Sequence, residues 1–315
     1  MKNTLIALLI LLITGTGFAQ QDNQYTQFMY NKLALNPAYA GTRGMGSFLA
    51  LFRQQWVGFK GAPQSKLLSF DSPIFGDRVG FGLTVSNNTV GIENKWNASM
   101  AYSYHIKISK EASFRFGLQG SVQYLGLDFS DPSVVIREEG DNSIVENDSK
   151  NQYLGNFGVG IYFTYQNLYF GASVPNIYPS EVGINTDQSI LETAKTVAHY
   201  YLMAGTMVPL TEKIHLKPAF LFKYVNNAPY DLDFNLSFVY DKKVTAGLSY
   251  RLGGDGSGES IDLLVLYQYK NIGIGVAYDL GLTELNDQNS GSVEALLRYD
   301  FLKEREDIAN PRFFF

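Results

Sequence analysis

The chain has 315 residues, a formal net charge of −5 and no cysteine. The missing thiols exclude a lipidated amino-terminal cysteine, disulfides, thiol catalysis and cysteine metal sites, and the mild acidity argues against a nucleic-acid partner, which favours a basic patch. Tyr 21, Phe 22 and Trp 2 make 14% of the chain aromatic, with 30 glycines beside them, a composition that fits a transmembrane barrel.

The chain opens with Lys2, an apolar run over 5–13, and the small residues Gly15, Gly17 and Ala19. Nine apolar residues are too few to span a membrane as a helix, so 1–19 reads as a signal peptide cut after Ala19. No later stretch approaches the ~18 apolar residues a membrane helix needs. Segment 20–43 follows. Its Phe28, Met29, Leu33, Leu35 and Tyr39 would be poorly placed in a free tail, so it is expected to pack as a plug inside or across the periplasmic mouth of a barrel. Within it, Asn36-Pro37 is a turn initiator, because proline biases the residue before it away from helix. That turn serves either to guide the chain into the first strand or to meet a partner.

From residue 44 the dominant period is two. Phe114, Phe116, Leu118, Val122 and Tyr124 share one face, with Arg115, Gln119, Ser121 and Gln123 on the other. The same alternation runs through Leu216, Pro218, Phe220, Phe222 and Tyr224 against Lys217 and Lys223, and through Leu297, Tyr299 and Phe301 against Arg298 and Asp300. Runs of roughly ten residues suit tilted strands crossing the hydrocarbon layer, apolar face outward and polar face inward. Fourteen strands are expected, at 44–54, 64–71, 77–86, 95–107, 112–125, 153–165, 168–174, 195–209, 212–225, 230–240, 243–252, 260–269, 272–280 and 292–301. Most connections after odd strands are long (126–152, 175–194, 253–259, 281–291), and those after even strands are short. That asymmetry predicts an antiparallel outer-membrane barrel over 44–301 with periplasmic turns and extracellular loops. Segment 302–315 becomes a periplasmic tail, and both termini are expected in the periplasm of a Gram-negative cell. A soluble β-sandwich also shows period two, but its strands are usually shorter.

Little here suggests chemistry. His105, His199 and His215 lie in separate strands without ligand spacing, and no nucleophile is paired with a base. The Gly253-to-Gly258 stretch joins two strands with no helix N-terminus to hold a phosphate. Asp128, Asp131, Glu138, Glu139, Asp141, Glu146 and Asp148 make 126–152 acidic, either a solvated loop or a calcium-binding one without EF-hand spacing. Lys217, Lys223, Arg298 and Arg115 are expected in the lumen with Asp233, Asp262, Glu294 and Asp300. The expectation is a non-enzymatic protein without a cofactor.

Three stretches carry more. They are 24–41, ending Asn36-Pro37-Ala38-Tyr39-Ala40-Gly41; 53–63, with Arg53, Gln55, Trp56, Gly61 and Pro63; and Arg298-Tyr299-Asp300-Phe301 followed by Pro311, Arg312 and Phe313. Together they resemble the PorP/SprF family of type IX secretion outer-membrane proteins, along the whole mature chain. The resemblance implies an outer-membrane barrel serving secretion or surface attachment of a large cell-surface protein, such as a gliding adhesin bearing a C-terminal secretion domain. It also implies contact with other components of that system and with outer-membrane lipid. A diffusion porin or substrate channel is the competing reading. The long loops, with Asp141 in one and Tyr178, Pro179 and Ile184 in the other, are the expected docking surface, because loops beyond ~12–15 residues are usually functional or disordered.

Overall fold

The computed structural model describes residues 24–131, 149–179, 181–186, 189–195, 197–226, 228–254, 256–283 and 288–301. The signal peptide, Asp141 and the terminal Pro311, Arg312 and Phe313 lie outside the described residues.

Fourteen staves close into one antiparallel barrel. They are β1 (Gly46–Gln54), β2 (Gln64–Ile74), β3 (Val79–Val90), β4 (Glu93–Lys107), β5 (Ala112–Asp128), β6 (Ser149–Tyr165), β7 (Leu168–Val174), β10 (His199–Gly205) continued by β11 (Val208–Pro209), β12 (Ile214–Val225), β13 (Asp231–Tyr240), β14 (Val244–Leu252), β15 (Gly258–Tyr269), β16 (Ile272–Gly281) and β17 (Ser292–Phe301). Each pairs with its neighbour, and β1 meets β17 in register from Gly46↔Phe301 to Gln54↔Val293, so no edge is left unpaired. In hydrocarbon this closure is what satisfies every strand N–H and C=O. The period-two reading is realised stave by stave. On β17, Val293, Leu297, Tyr299 and Phe301 face outward and Glu294, Arg298 and Asp300 are buried inside. No helix among the described residues is long and apolar enough to cross a membrane; the strands make the crossing.

Several strands run past their expected ends, as β2, β3, β5 and β6 do, and two differences are larger. The eighth stave starts at His199 and breaks near Thr206, whose N–H donates to Pro218 O (3.1 Å). Loop 175–194, expected to lack its own structure, carries a hairpin of β8 (Glu181–Thr186) and β9 (Ser189–Lys195) outside the barrel sheet. The side chain of Ile184 lies outside what is described.

Segment 24–43 lies within the lumen, nearly all of it buried. It does not merely cap one mouth. Gln24 Nε2 donates to Asp231 Oδ2 (2.8 Å) at the long-loop end of β13, whereas Arg43 pairs with Asp300 (2.9 Å) near the short-turn end of β17. The chain therefore threads the barrel from top to bottom before turning into β1. Gln24 and Phe301 consequently sit at opposite mouths.

Candidate functional site: the occupied lumen

The lumen segment is held at three levels. Near the long-loop mouth, adjacent backbone amides of Thr26 and Gln27 donate to the two oxygens of Glu294 (3.0 and 2.9 Å). Thr26 Oγ1 donates to Asp279 (2.6 Å) and accepts from Arg53 Nη1 (2.8 Å). Arg53 also pairs with Asp279 (2.6 Å) and Glu294 (3.4 Å), and all of these side chains are buried. Alongside, Asp233 takes Arg251 (2.6 Å) and Lys223 (2.7 Å). Buried charge is tolerated only when paired and hydrogen-bonded, and the segment's own amides complete the pairing.

At mid-height, Lys32 starts a single helical turn, α1 (Lys32–Leu35). Its ammonium lies 3.6 Å from the centre of the Tyr169 ring, 5.5 Å from that of Tyr39 and 3.4 Å from Tyr162 Oη. Tyr162 stacks on Tyr169 at 5.6 Å and meets Tyr39 edge-on at 5.6 Å, closing an aromatic box. Among the described residues Lys32 has no carboxylate in ion-pair range. An ammonium buried without a carboxylate partner is costly, since nothing of opposite charge replaces its lost hydration. Ring faces recover part of the lost hydration, as cation–π contacts do.

We expect Lys32→Met to unfold at a higher temperature than wild type at neutral pH, followed by the gel shift of the unboiled barrel, because it removes a buried charge that no carboxylate pairs. An unchanged or lower transition temperature would mean that the rings around Lys32 offset the whole cost of burying it.

At the lower level sits Asn36-Pro37-Ala38-Tyr39-Ala40-Gly41. Asn36 is extended (φ −144°, ψ 113°), as a residue before proline should be, and its Oδ1 accepts from Ala38 N (2.9 Å) to cap the 3-10 turn Pro37–Tyr39. Its Nδ2 donates to Ile161 O on the wall (2.9 Å). Wall hydroxyls reach back: Ser173 donates to Leu35 O (2.6 Å) and Ser103 to Ala40 O (2.7 Å). Gly41 has φ +69° and donates from its N–H to Asp71 (3.1 Å). The turn that the sequence assigns to chain guidance or partner contact thus packs against the inner wall.

The wall makes room with glycine. A Cβ on inward-facing Gly117 would strike the backbone of Ala38, one on Gly160 would strike Asn36 Oδ1, and one on Gly80 would strike Ala40 O. Glycine inside a strand weakens it and often marks a close backbone approach, and the approaching backbone here is residues 36–40. Alternation with Arg115 and Gln119 puts Gly117 on the polar side, where the sequence alone gives it no task. Inward glycines on three different staves are the signal that a chain lies against them.

The second signature stretch divides. Arg53 belongs to the lumen cluster, not the rim. Gln55, Trp56, Gly61 and Pro63 shape loop 55–63, where Gln55 N donates to Pro63 O (2.9 Å). Val57 exchanges backbone bonds with Ser290 and Gly291 (2.8 Å each), and Gly61 O accepts from Gly91 N (2.9 Å), stitching this loop to both neighbours. Trp56 packs edge-on to Phe59 at 6.4 Å. Of the expected docking residues, Tyr178 and Pro179 are exposed at the rim, and Tyr178 exchanges hydrogen bonds with the Asn156 side chain (2.7 and 2.9 Å). His105 and His199 bind backbone carbonyls of Asp77 and Val197, and the described residues contain no cluster of three His, Asp or Glu arranged for a metal.

No curated protein matches the chain in sequence. Among solved structures it is similar to the CymD monoaromatic hydrocarbon channel, at 12% identity and a TM-score of 0.53, covering 91% of this chain and 96% of that one. It is also similar to a deltaS2S3 mutant of the TodX monoaromatic hydrocarbon channel, at 13% identity and a TM-score of 0.51, covering 85% and 93%. Both likenesses speak for the outer-membrane barrel fold alone. The family described as type IX secretion system membrane protein PorP/SprF matches residues 17–299. That match takes in the lumen segment and the barrel up to Tyr299 in β17, and the chain belongs to the PorP/SprF family of type IX secretion membrane proteins.

Proposed function

We propose that this protein serves type IX secretion as a closed docking barrel for an exported surface protein, of the gliding-adhesin kind with a C-terminal secretion domain, and not as a diffusion pore. One observation carries the reading: the lumen is occupied by residues 24–43, bonded to the wall along its height. A porin needs a continuous wet path, and this barrel has placed its own chain there. The docking face is the long-loop side, reading the short turns as periplasmic. Loop 175–194 supports this choice, since its hairpin stands apart from the barrel sheet and its base exposes Tyr178 and Pro179. Loop 126–152 adds acidic residues suited to selecting a partner. Family-signature residues such as Asn36, Pro37 and Arg53 act in this reading through the seated lumen segment, and other type IX components engage the barrel from outside it.

Two measurements on the purified barrel and on cells test this. In planar bilayers the wild type should be silent. Replacing 178–197 by a tight turn should leave an unboiled barrel that still shifts on a gel, while display of the exported partner is lost. Steady conductance by the wild type would favour the porin reading. Retained display after shortening both long loops would move the docking face to the other mouth.

A further inference from the structure

The route of the lumen segment has a topological consequence. A barrel whose first strand starts at the short-turn mouth ordinarily leaves its leading chain on that side. Here the chain ahead of β1 has climbed the lumen. Arg43 is fixed to Asp300, and Gly41 to Asp71, near the short-turn end. Asn36 lies on β6 and β7 above them. Thr26 and Gln27 grip Glu294 and Asp279, each within two residues of the long-loop end of its strand. Gln24 reaches Asp231, the first residue after the loop between β12 and β13. These are ordered, mutually consistent heights, set by hydrogen bonds or ion pairs to β2, β6, β7, β13, β16 and β17.

We propose that the lumen segment presents Gln24, the head of its described chain, at the long-loop mouth, where with the loops it forms one surface on the outside of the cell. This rests on the reading that the long loops face outward. The clasp at Thr26 and Gln27 then lies at the accessible end of the segment, so a partner seated on this surface touches the same chain that fills the lumen.

The cysteine-free chain permits a clean test with a small membrane-impermeant maleimide on intact and permeabilised cells. Three single variants are compared, each first checked for the gel shift of an intact barrel. Gln24→Cys probes the proposal, Lys60→Cys reports the long-loop side, and Lys110→Cys reports the short-turn side. The expected result is labelling of Gln24→Cys and Lys60→Cys in intact cells, with Lys110→Cys reacting only after permeabilisation. If Lys60→Cys is labelled but Gln24→Cys waits for permeabilisation with Lys110→Cys, the proposal is overturned while the loop orientation stands. If Gln24→Cys reacts in neither state, the end is enclosed and the proposal also fails. If Lys110→Cys is labelled and Lys60→Cys is protected, the orientation itself is inverted, and the surface assignment falls with it.

Discussion

Replacing Gly117 by valine and Gly160 by leucine together is expected to turn a silent barrel into a conducting one. Both positions face the lumen. At Gly117 an added side chain meets the Ala38 backbone and the Pro37 carbonyl carbon, and at Gly160 it meets Asn36 Oδ1 and Pro37 Cδ. None of these atoms is the flexible end of a long side chain, so the segment must lift away. The strands themselves lose nothing, because neighbouring inward positions already carry Tyr162 and Arg115. Lifting residues 36–40 forfeits the bonds from Ser103, Ser173 and Asn36 to backbone carbonyls, each worth about 0.5–1.5 kcal/mol. The readouts are single-channel recording and protease trimming in detergent, which should stop near the start of β1. The gel shift of the unboiled protein should persist, since closure between β1 and β17 is untouched. A double variant that stays silent and resists trimming would mean that the wall yields and not the segment.

The barrel was legible because its cause is local. Lipid outside and water or polar chain inside force alternation at every residue, and Phe114 to Tyr124 or Val293 to Phe301 display it without reference to anything distant. Turn and loop lengths carried the topology in the same way. The lumen was only half legible. Apolar residues at Phe28, Met29, Leu33 and Leu35 announced that 20–43 needs a buried place, and lumen-facing charges at Lys217, Arg298, Glu294 and Asp300 were correctly placed. Which carboxylate meets which amide was not legible, because Thr26 and Glu294 lie 268 residues apart and nothing in either neighbourhood names the other. The direction of threading was not legible for the same reason. An amphipathic segment before a first strand reads equally well as a cap on the near mouth, and it takes Gln24 against Asp231 and Thr26 against Asp279 to show the longer route. Lys32 reads as an ordinary surface residue until Tyr39, Tyr162 and Tyr169 are brought around it. Arg53 and Trp56 share one signature stretch, three residues apart, but alternation turns Arg53 inward at the end of β1 while Trp56 belongs to the loop beyond it.

That inward arginine gives the largest expected loss of stability. Arg53→Ala should lower the temperature at which the unboiled band converts to the unfolded one, by an amount corresponding to about 3–5 kcal/mol, the usual cost of stranding a buried partner. Two carboxylates, Asp279 and Glu294, would then face each other's field in the lumen with only Thr26 and the two backbone amides left to donate. Their repulsion acts on the clasp, so the variant should also expose Gln24 and Tyr25 to protease before the barrel opens. Charge and not side-chain volume is the cause, and a rescue separates the two. Arg53→Met combined with Asp279→Asn and Glu294→Gln removes all three charges while leaving oxygens that still accept from Thr26 and Gln27. Neutral replacements of buried ion clusters are often as stable as the original, so this triple variant should recover most of the lost transition temperature. It should also restore resistance of the segment to trimming. If the triple variant melts as early as Arg53→Ala, the arginine holds the segment by packing and by its bond to Thr26 Oγ1, and the carboxylates are bystanders. If Arg53→Ala melts with the wild type, the clasp at the long-loop mouth contributes nothing to the closed state, and the lower level around Asn36 and Gly41 carries the seating alone.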